Sequence, residues 1–247
     1  MYANDALEIA KVGRGERVLD VAAGPGSLSI AAAKGGAQVV ATDFSGVMVE
    51  QIQARVAREG VKGVEAQVMD GQALQLPDAS FDAAFRMFGL MMFPDRAAGF
   101  REMNRVLKPQ GRAVVAVWDK PPHNEWMGIF QEAVRKAMPD TPPPPPPVFM
   151  ELADRERLAG EMRGGGFAQV EVKSVSHTLD VGAPVALWGV LMETNPAMPG
   201  MVARIGPEKA AAVREALVEA AQAKMEREGA PTVRLTADAL MAVGRRP

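Results

Sequence analysis

Apolar residues gather along the first half of the chain in short runs, and between the runs they thin to one face of a helix. Residues 17–22, 39–42, 64–69, 81–88 and 112–118 are rich in Val, Ala, Leu, Phe and Met. Near-continuous apolar runs of this length suit strands covered on both faces. Gly24-Pro25-Gly26 breaks the first run, and a small-residue helix follows from Ser27 to about Lys34. Ser45 is placed to cap a helix carrying Met48, Ile52 and Val56 at i, i+4 and i+8. A further helix from about 95 to 107 shows Phe100, Met103 and Leu107 on one face, and Lys108-Pro109-Gln110-Gly111 stops it. Strands alternating with helices of this length predict βαβ units and a mostly parallel sheet.

After Trp118 the rhythm changes. A helix is expected over about 125–137, then six prolines, Pro142 to Pro147, which favour an extended polyproline II spacer. Another helix starts near Asp154 and ends at Gly164-Gly165-Gly166, and residues 169–177 read as a sixth strand. A helical insertion spans about 184–228; its last helix, 208–226, places Val213, Leu217 and Ala220 on one face. Residues 233–243 read as a hairpin-like return ending in a seventh strand. The expectation is one domain over 1–247, with lid insertions at about 121–160 and 184–228.

Composition narrows the classes. The chain has 247 residues and no cysteine, which excludes thiolate zinc sites and thiol nucleophiles and fits a reducing, cytoplasmic compartment. Its net charge of −2, from 28 basic and 30 acidic residues, gives no electrostatic footprint for nucleic acid. No apolar run approaches the ~18 residues that span a bilayer, and the first residues carry no secretory signal. Sixteen methionines suit an irregular apolar interior or an apolar ligand pocket.

In an open parallel sheet, ligands bind beyond the carboxyl ends of the strands. Here the first strand leads into Gly24-Pro25-Gly26, which lets a ligand approach backbone and opens a helix N-terminus. The second ends in Asp43, a carboxylate able to accept both ribose hydroxyls. The third ends in Asp70-Gly71, placed to meet an adenine amino group. A dinucleotide site is the rival, since Gly24 to Ser29 nearly satisfies G-x-G-x-x-G/A and Asp43 follows at the right distance. Against it, Asp20 would repel a pyrophosphate but attract an ammonium, Ser29 replaces the third glycine, and the only tyrosine is Tyr2.

Asp20-Val21-Ala22-Ala23-Gly24-Pro25-Gly26 resembles the D-x-G-x-G-x-G motif of class I S-adenosylmethionine-dependent methyltransferases, departing at Ala22, where the family more often has glycine. Phe81-Asp82, Phe88-Gly89-Leu90 with Phe93-Pro94-Asp95, and the 105–111 segment resemble later motifs of the branch holding ubiquinone and menaquinone C-methyltransferases. The resemblance covers about 15–118, and the closing 239–247 strand is similar to the fold's antiparallel last strand. It implies a Rossmann-like, doubly wound α/β sheet in the order 3-2-1-4-5-7-6 with S-adenosylmethionine as cofactor. Members usually carry a longer N-terminal region than the fifteen or so residues that precede the first strand here: either the lid is short or the sequence starts late.

By the same resemblance, Asp20, Ala22, Gly24 and Gly26 line the methionine half of the donor, and Asp43 binds ribose. Phe44 and Met48 cover the adenine or ribose face, Asp70, Gly71 and Gln72 meet the adenine edge, and Arg86 and Met87 sit near the reacting centre, Arg86 as a candidate catalytic contact to the donor carboxylate or an anionic substrate. Each has a plainer alternative: turn glycines at 24 and 26, a helix cap at Asp43, a turn opening at Asp70, an exposed strand end at Arg86. His123, just after the fifth strand, is a candidate general base or a surface loop residue. Trp126, Phe130, Phe149, Trp188 and Met192 either roof an apolar substrate or form the core of the lids. The expected partner is a small, apolar or aromatic acceptor, methylated on carbon or oxygen. An NAD(P)-binding oxidoreductase, and a non-catalytic binding protein assembling through the 208–226 helix as a dimer or through the proline rod, are the alternatives.

Overall fold

The computed structural model describes residues 1–121, 123–140, 148–194 and 197–247. The chain divides into two compact units: 1–118 with 148–175 and 239–247, and 119–147 with 176–238.

The first unit is built on strands β1 (Arg17–Val21), β2 (Gln38–Asp43), β3 (Val64–Val68), β4 (Phe81–Met87), β5 (Leu107–Trp118), β6 (Ala168–Gly182) and β7 (Val233–Arg245). The last two extend past the unit's boundary. They form one seven-stranded sheet in the order β3-β2-β1-β4-β5-β7-β6. β1 to β5 pair in parallel, and β7 runs antiparallel to β5, with Trp118 opposite Ala239 and Arg112 opposite Arg245. The expected order and antiparallel closing strand are those observed.

The helices are α1 (Tyr2–Ala10), α2 (Ser27–Lys34), α3 (Gly46–Glu59), α4 (Arg96–Val106) and α6 (Arg155–Gly164). Period-2 alternation divides the strands' apolar side chains between two cores. Leu19 and Val21 of β1, with Val115 and Val117 of β5, join Phe100 and Met103 of α4 and Leu158 and Met162 of α6. Val18, Phe85, Val114 and Ala116 face the other way and join Ala6, Ala10, Leu28 and Ala32 of α1 and α2.

The second unit holds α5 (Glu125–Ala137), α7 (Ala186–Thr194), α8 (Ala197–Ile205) and α9 (Pro207–Glu228). Its core is Ala133, Leu187, Leu191, Met198, Leu217 and Ala221, closed by Val181, Val233 and Leu235. Lys224 of α9 is 6% exposed, and its ammonium is held by Glu125 at 2.8 Å and Glu228 at 2.5 Å. No helix among the described residues is long and apolar enough to cross a membrane.

Several boundaries differ from the sequence reading, each for a local reason. Ser45 is the N-cap of α3, but its side chain makes no cap; its amide instead donates to Asp43 Oδ1 at 2.9 Å. The helix stops before the Lys108–Gly111 stretch as read, but the stretch is itself part of β5, which was expected to begin at Arg112. It forms an irregularity inside β5, where the register moves from Phe81↔Leu107 to Ala83↔Arg112 and Gln110 adopts φ 63°. Leu107 is therefore the first residue of β5 rather than the last turn of α4. The 233–243 return is one strand, because its far half has pairing partners that a sequence pattern cannot display. In α9 the fully buried positions are Val213, Leu217 and Ala221, and Ala220 is only half-buried. The proline run 142–147 lies outside the described residues.

Candidate active site

The carboxyl ends of β1 to β4 bring the predicted residues of the first unit together. After β1 the backbone turns through Ala22 (φ 54°), Gly24 (φ 55°) and Gly26 (φ 78°) before α2 begins. A Cβ on Gly26 would lie 3.0 Å from Ile52 Cγ1, so this glycine lets the start of α2 pack against α3. A Cβ on Gly24 would meet nothing within 4 Å; the turn is open to a ligand there. Ala22 is the unusual member. A methyl in the left-handed region costs about 1–2 kcal/mol, and it is accommodated by Gly89, whose own Cβ would fall 2.6 Å from that of Ala22.

Asp20 is buried at the start of this turn. Its Oδ2 accepts from the Ser29 amide at 3.1 Å and the Ser29 hydroxyl at 2.6 Å. Its Oδ1 is buried with no donor among the described residues. Burial pushes the carboxyl up to about 7, against the two Ser29 hydrogen bonds that pull it down, and the nearby Asp43 charge adds to the rise. A buried carboxylate with an empty lone pair is suited to a cationic ligand group.

Asp43 ends β2 and is locked from both sides. Oδ2 accepts from the Gly24 amide at 2.9 Å and Oδ1 from the Ser45 amide at 2.9 Å. The carboxylate thus ties the β1 turn to the start of α3, and each oxygen keeps a further lone pair for a ligand hydroxyl. Next to it Phe44 is 83% exposed, an unusual state for a large aromatic, and Met48 is half-buried in the first turn of α3.

Asp70, exposed just beyond β3, accepts from the amide of Gln72 at 2.8 Å and from its side-chain nitrogen at 3.1 Å. Those bonds, aided by the charge of Arg86, hold its carboxyl below the usual range. Gln72 Oε1 in turn accepts from the Asp95 amide at 2.8 Å, joining the loop to the start of α4. Gly71 is required by space: a Cβ there would lie 2.6 Å from Val21 Cγ1 and 2.7 Å from Phe93 Cζ.

Arg86 is wholly buried. Nη2 donates to the carbonyls of Gly71 at 3.2 Å and Gly99 at 3.4 Å, and the guanidinium lies over the Phe93 ring, 4.2 Å from its centroid. Nε and Nη1 have no hydrogen-bond partner among the described residues. Its contacts make it a brace between the Asp70–Gln72 loop and α4 rather than an exposed strand end. Met87 is half-buried at the end of β4.

Three aromatic residues gather at the ends of β4 and β5. Phe88 stacks on Trp118 with centroids 4.1 Å apart and planes 22° apart, and Tyr2 meets both edge-on at 5.4 and 5.5 Å. Phe88 sits at φ 60°, rare and strained for a bulky side chain, and such strain gathers at functional positions. Sequence reasoning missed Ser29 and this aromatic group. Ser29 offered a signal, as a polar residue in the first turn of the helix after the glycines; the aromatic group joins residues 2, 88 and 118 and has no local signature.

His123 lies in the second unit. Its Nδ1 is 3.8 Å from Asp238 Oδ2, and these two with Asp119 form a cluster. Trp126, Phe130, Trp188 and Met192 pack half-buried against the second unit's own helical core; the side chain of Phe149 lies outside the described residues. The apolar face of α9 is likewise buried among helices of that unit.

Comparison with known proteins agrees with this geometry. A methyltransferase domain family matches residues 18–111. A demethylmenaquinone methyltransferase of Clavibacter sepedonicus is 36% identical over 172 residues, 66% of this chain and 69% of that one. An uncharacterised protein of Mycobacterium tuberculosis is 41% identical over 109 residues, 44% of this chain; the match spans only 39% of that relative's length. A putative methyltransferase structure from Bacillus halodurans superposes with a TM-score of 0.64 at 18% identity, covering 99% of this chain and 98% of its own, a likeness of fold. The chain belongs to the class I S-adenosylmethionine-dependent methyltransferases, in the branch that includes the demethylmenaquinone methyltransferases. Family membership sets aside the dinucleotide-dependent oxidoreductase.

Proposed function

We propose that this protein transfers the methyl group of S-adenosylmethionine to a small apolar or aromatic acceptor. The observation that carries the reading is the buried Oδ1 of Asp20, left without a donor beside a turn that is open at Gly24. The residues present fit the cofactor: Asp20 offers its free oxygen to the methionine ammonium, and Asp43 offers a lone pair from each oxygen to the ribose hydroxyls. Phe44 and Met48 supply apolar cover for the base, the Asp70–Gln72 loop its polar edge, and Ala22, Gly24 and Gly26 the close backbone approach.

The cofactor, held by these residues, would supply an electrophilic methyl group from its sulfonium, the acceptor's carbon or oxygen giving up a proton to solvent in exchange for the methyl. The chain's share is to hold the two partners aligned, worth roughly 7–11 kcal/mol of barrier at best, and to keep water from them. The strained Phe88 and its stack with Trp118 and Tyr2 support an aromatic acceptor, since flat rings offer a stacking surface. Arg86 positions the adenine loop and Met87 flanks the reacting centre. The Clavibacter relative's name makes prenylated naphthoquinols the first acceptors to try. Absence of cysteine supports a cytoplasmic setting, and the near-neutral charge supports a small molecule over nucleic acid.

The test is calorimetric titration with S-adenosylmethionine and S-adenosylhomocysteine, beside NADH and an Asp43→Ala control, followed by mass analysis of quinol and phenol acceptors. Binding of the sulfur nucleosides that Asp43→Ala weakens about 10–100-fold, then gain of one methyl by an acceptor, is expected. Binding without turnover on any electron-rich acceptor would favour a non-catalytic binding protein.

A further inference from the structure

We propose that Asp119, His123 and Asp238 form a binding site for one divalent first-row metal ion, such as Zn²⁺ or Mn²⁺. This inference is independent of the methyl-transfer reading and lies wholly in the second unit. One imidazole nitrogen and one oxygen from each carboxylate lie within 4.8 Å of one another. Asp119 is 7% exposed, His123 is half-exposed and Asp238 lies between.

The backbone holds the three residues in fixed relation. The Asp119 amide donates to the Asp238 carbonyl at 2.9 Å, and the Asp238 amide to the His123 carbonyl at 3.0 Å. The His123 amide donates to the Lys120 carbonyl at 2.9 Å. Asn124, wholly buried, ties the frame together: its Nδ2 donates to the carbonyls of Asp119 at 2.5 Å and Asp238 at 3.0 Å. Main-chain cross-links at every ligand-bearing position are what a preorganised site needs.

The side chains, by contrast, are left without strong partners among the described residues. Asp119 Oδ1 accepts, among the described residues, only from the neighbouring Lys120 amide, at 2.7 Å. His123 Nδ1 and Asp238 Oδ2, 3.8 Å apart, are too far for a hydrogen bond, so they are not built as a His–Asp proton relay. That separation is one an ion about 2.1 Å from each would span. Asn124 Oδ1, on the residue that ties this frame together, is also buried without a hydrogen-bond partner among the described residues. Two carboxylates match the charge of a dication, and a set of one nitrogen and two oxygens, in a chain without thiols, suits Zn²⁺ or Mn²⁺ rather than a soft ion. Three protein ligands leave positions open for water or a ligand.

The experiment is titration of tag-free protein with ZnCl₂, followed by calorimetry and by the imidazole resonances. The chain has two histidines, so His177 is an internal control. One Zn²⁺ per chain is expected, shifting the His123 ring signals and leaving those of His177. His123→Gln and Asp238→Asn should each weaken binding at least about tenfold, with helical content unchanged by circular dichroism. If Asp238→Asn does not fold, His123→Gln decides alone, since that side chain is half-exposed. No saturable binding, or binding unaltered in His123→Gln, would overturn the site.

Discussion

Replacing Asp20 by asparagine removes a carboxyl that folding carries into an apolar site. In the unfolded chain this group titrates near 3.8; in the fold it titrates near 7. Because the folded value is the higher one, the protonated form is favoured by folding. The stability this contributes is complete below about 3.8 and is lost as pH rises to about 7, after which the loss is constant. At 1.36 kcal/mol per tenfold, ionising Asp20 costs the ligand-free fold about 4 kcal/mol as an upper bound. Asparagine keeps an oxygen for Ser29 and does not ionise. The assay is urea unfolding of the ligand-free protein and of Asp20→Asn across pH 4 to 8. Other carboxyls, among them Asp70 and Asp82, are held low by their hydrogen bonds and change both proteins alike. The difference between the two is therefore the contribution of Asp20: wild type should lose several kcal/mol relative to the variant by pH 8. Adding S-adenosylmethionine should restore wild type at pH 8, by giving the charge its ammonium partner, and should not restore the variant. Parallel pH profiles for the two proteins would refute the assignment of a buried, cation-seeking carboxyl.

Asp43→Ala should weaken S-adenosylhomocysteine binding by about 10–100-fold by calorimetry, through loss of charge-assisted bonds of about 1.5–3 kcal/mol and of the lock on the Gly24 amide. Trp118→Ala should lower kcat/KM for an aromatic acceptor while leaving cofactor affinity within about threefold, as stacking of about 0.5–1.5 kcal/mol is removed on the acceptor side alone. Arg86→Ala should destabilise the fold by about 3–5 kcal/mol in urea unfolding, because two buried carbonyls and the Phe93 face lose their donor. Ala22→Gly should be neutral or stabilise by up to about 1 kcal/mol, since relief of the positive φ outweighs the entropy of the added glycine.

Much of the first unit was legible because its signals are local. A strand buried on both faces must be apolar, and the residue that follows it must turn; β1 with Gly24 and Gly26, β2 with Asp43 and β3 with Asp70 show this in a few consecutive positions. The resemblance supplied what spacing could not, the sheet order and the place of β7. Where a second chain segment set the outcome, sequence reading fell short. Lys108–Gly111 contains a proline and a glycine and reads correctly as a helix stop, but its place inside β5 went unseen, because it is kept in the sheet by pairing with the carboxyl-terminal residues, the Gln110 amide donating to the Arg246 carbonyl. Arg86 could be reasoned only as far as needing a partner; that the partners are the Gly71 and Gly99 carbonyls depends on how α4 crosses the sheet.

By itself, then, the sequence determined the alternating α/β plan, the candidate nucleoside-site residues at the strand ends and the motif that resembles the family's, because each rests on side chains within a turn or two of one another. The tertiary structure alone decided that Asp20 keeps one oxygen free while Ser29 holds the other. It alone stacked Tyr2, Phe88 and Trp118, and framed Asp119, His123 and Asp238 around Asn124. Asp20 and Ser29 are only nine residues apart, but Tyr2 with Phe88 and Trp118, and Asp238 with Asp119 and His123, join segments far apart in the chain, and their geometry is set by packing and strand register, which no local pattern of residues encodes.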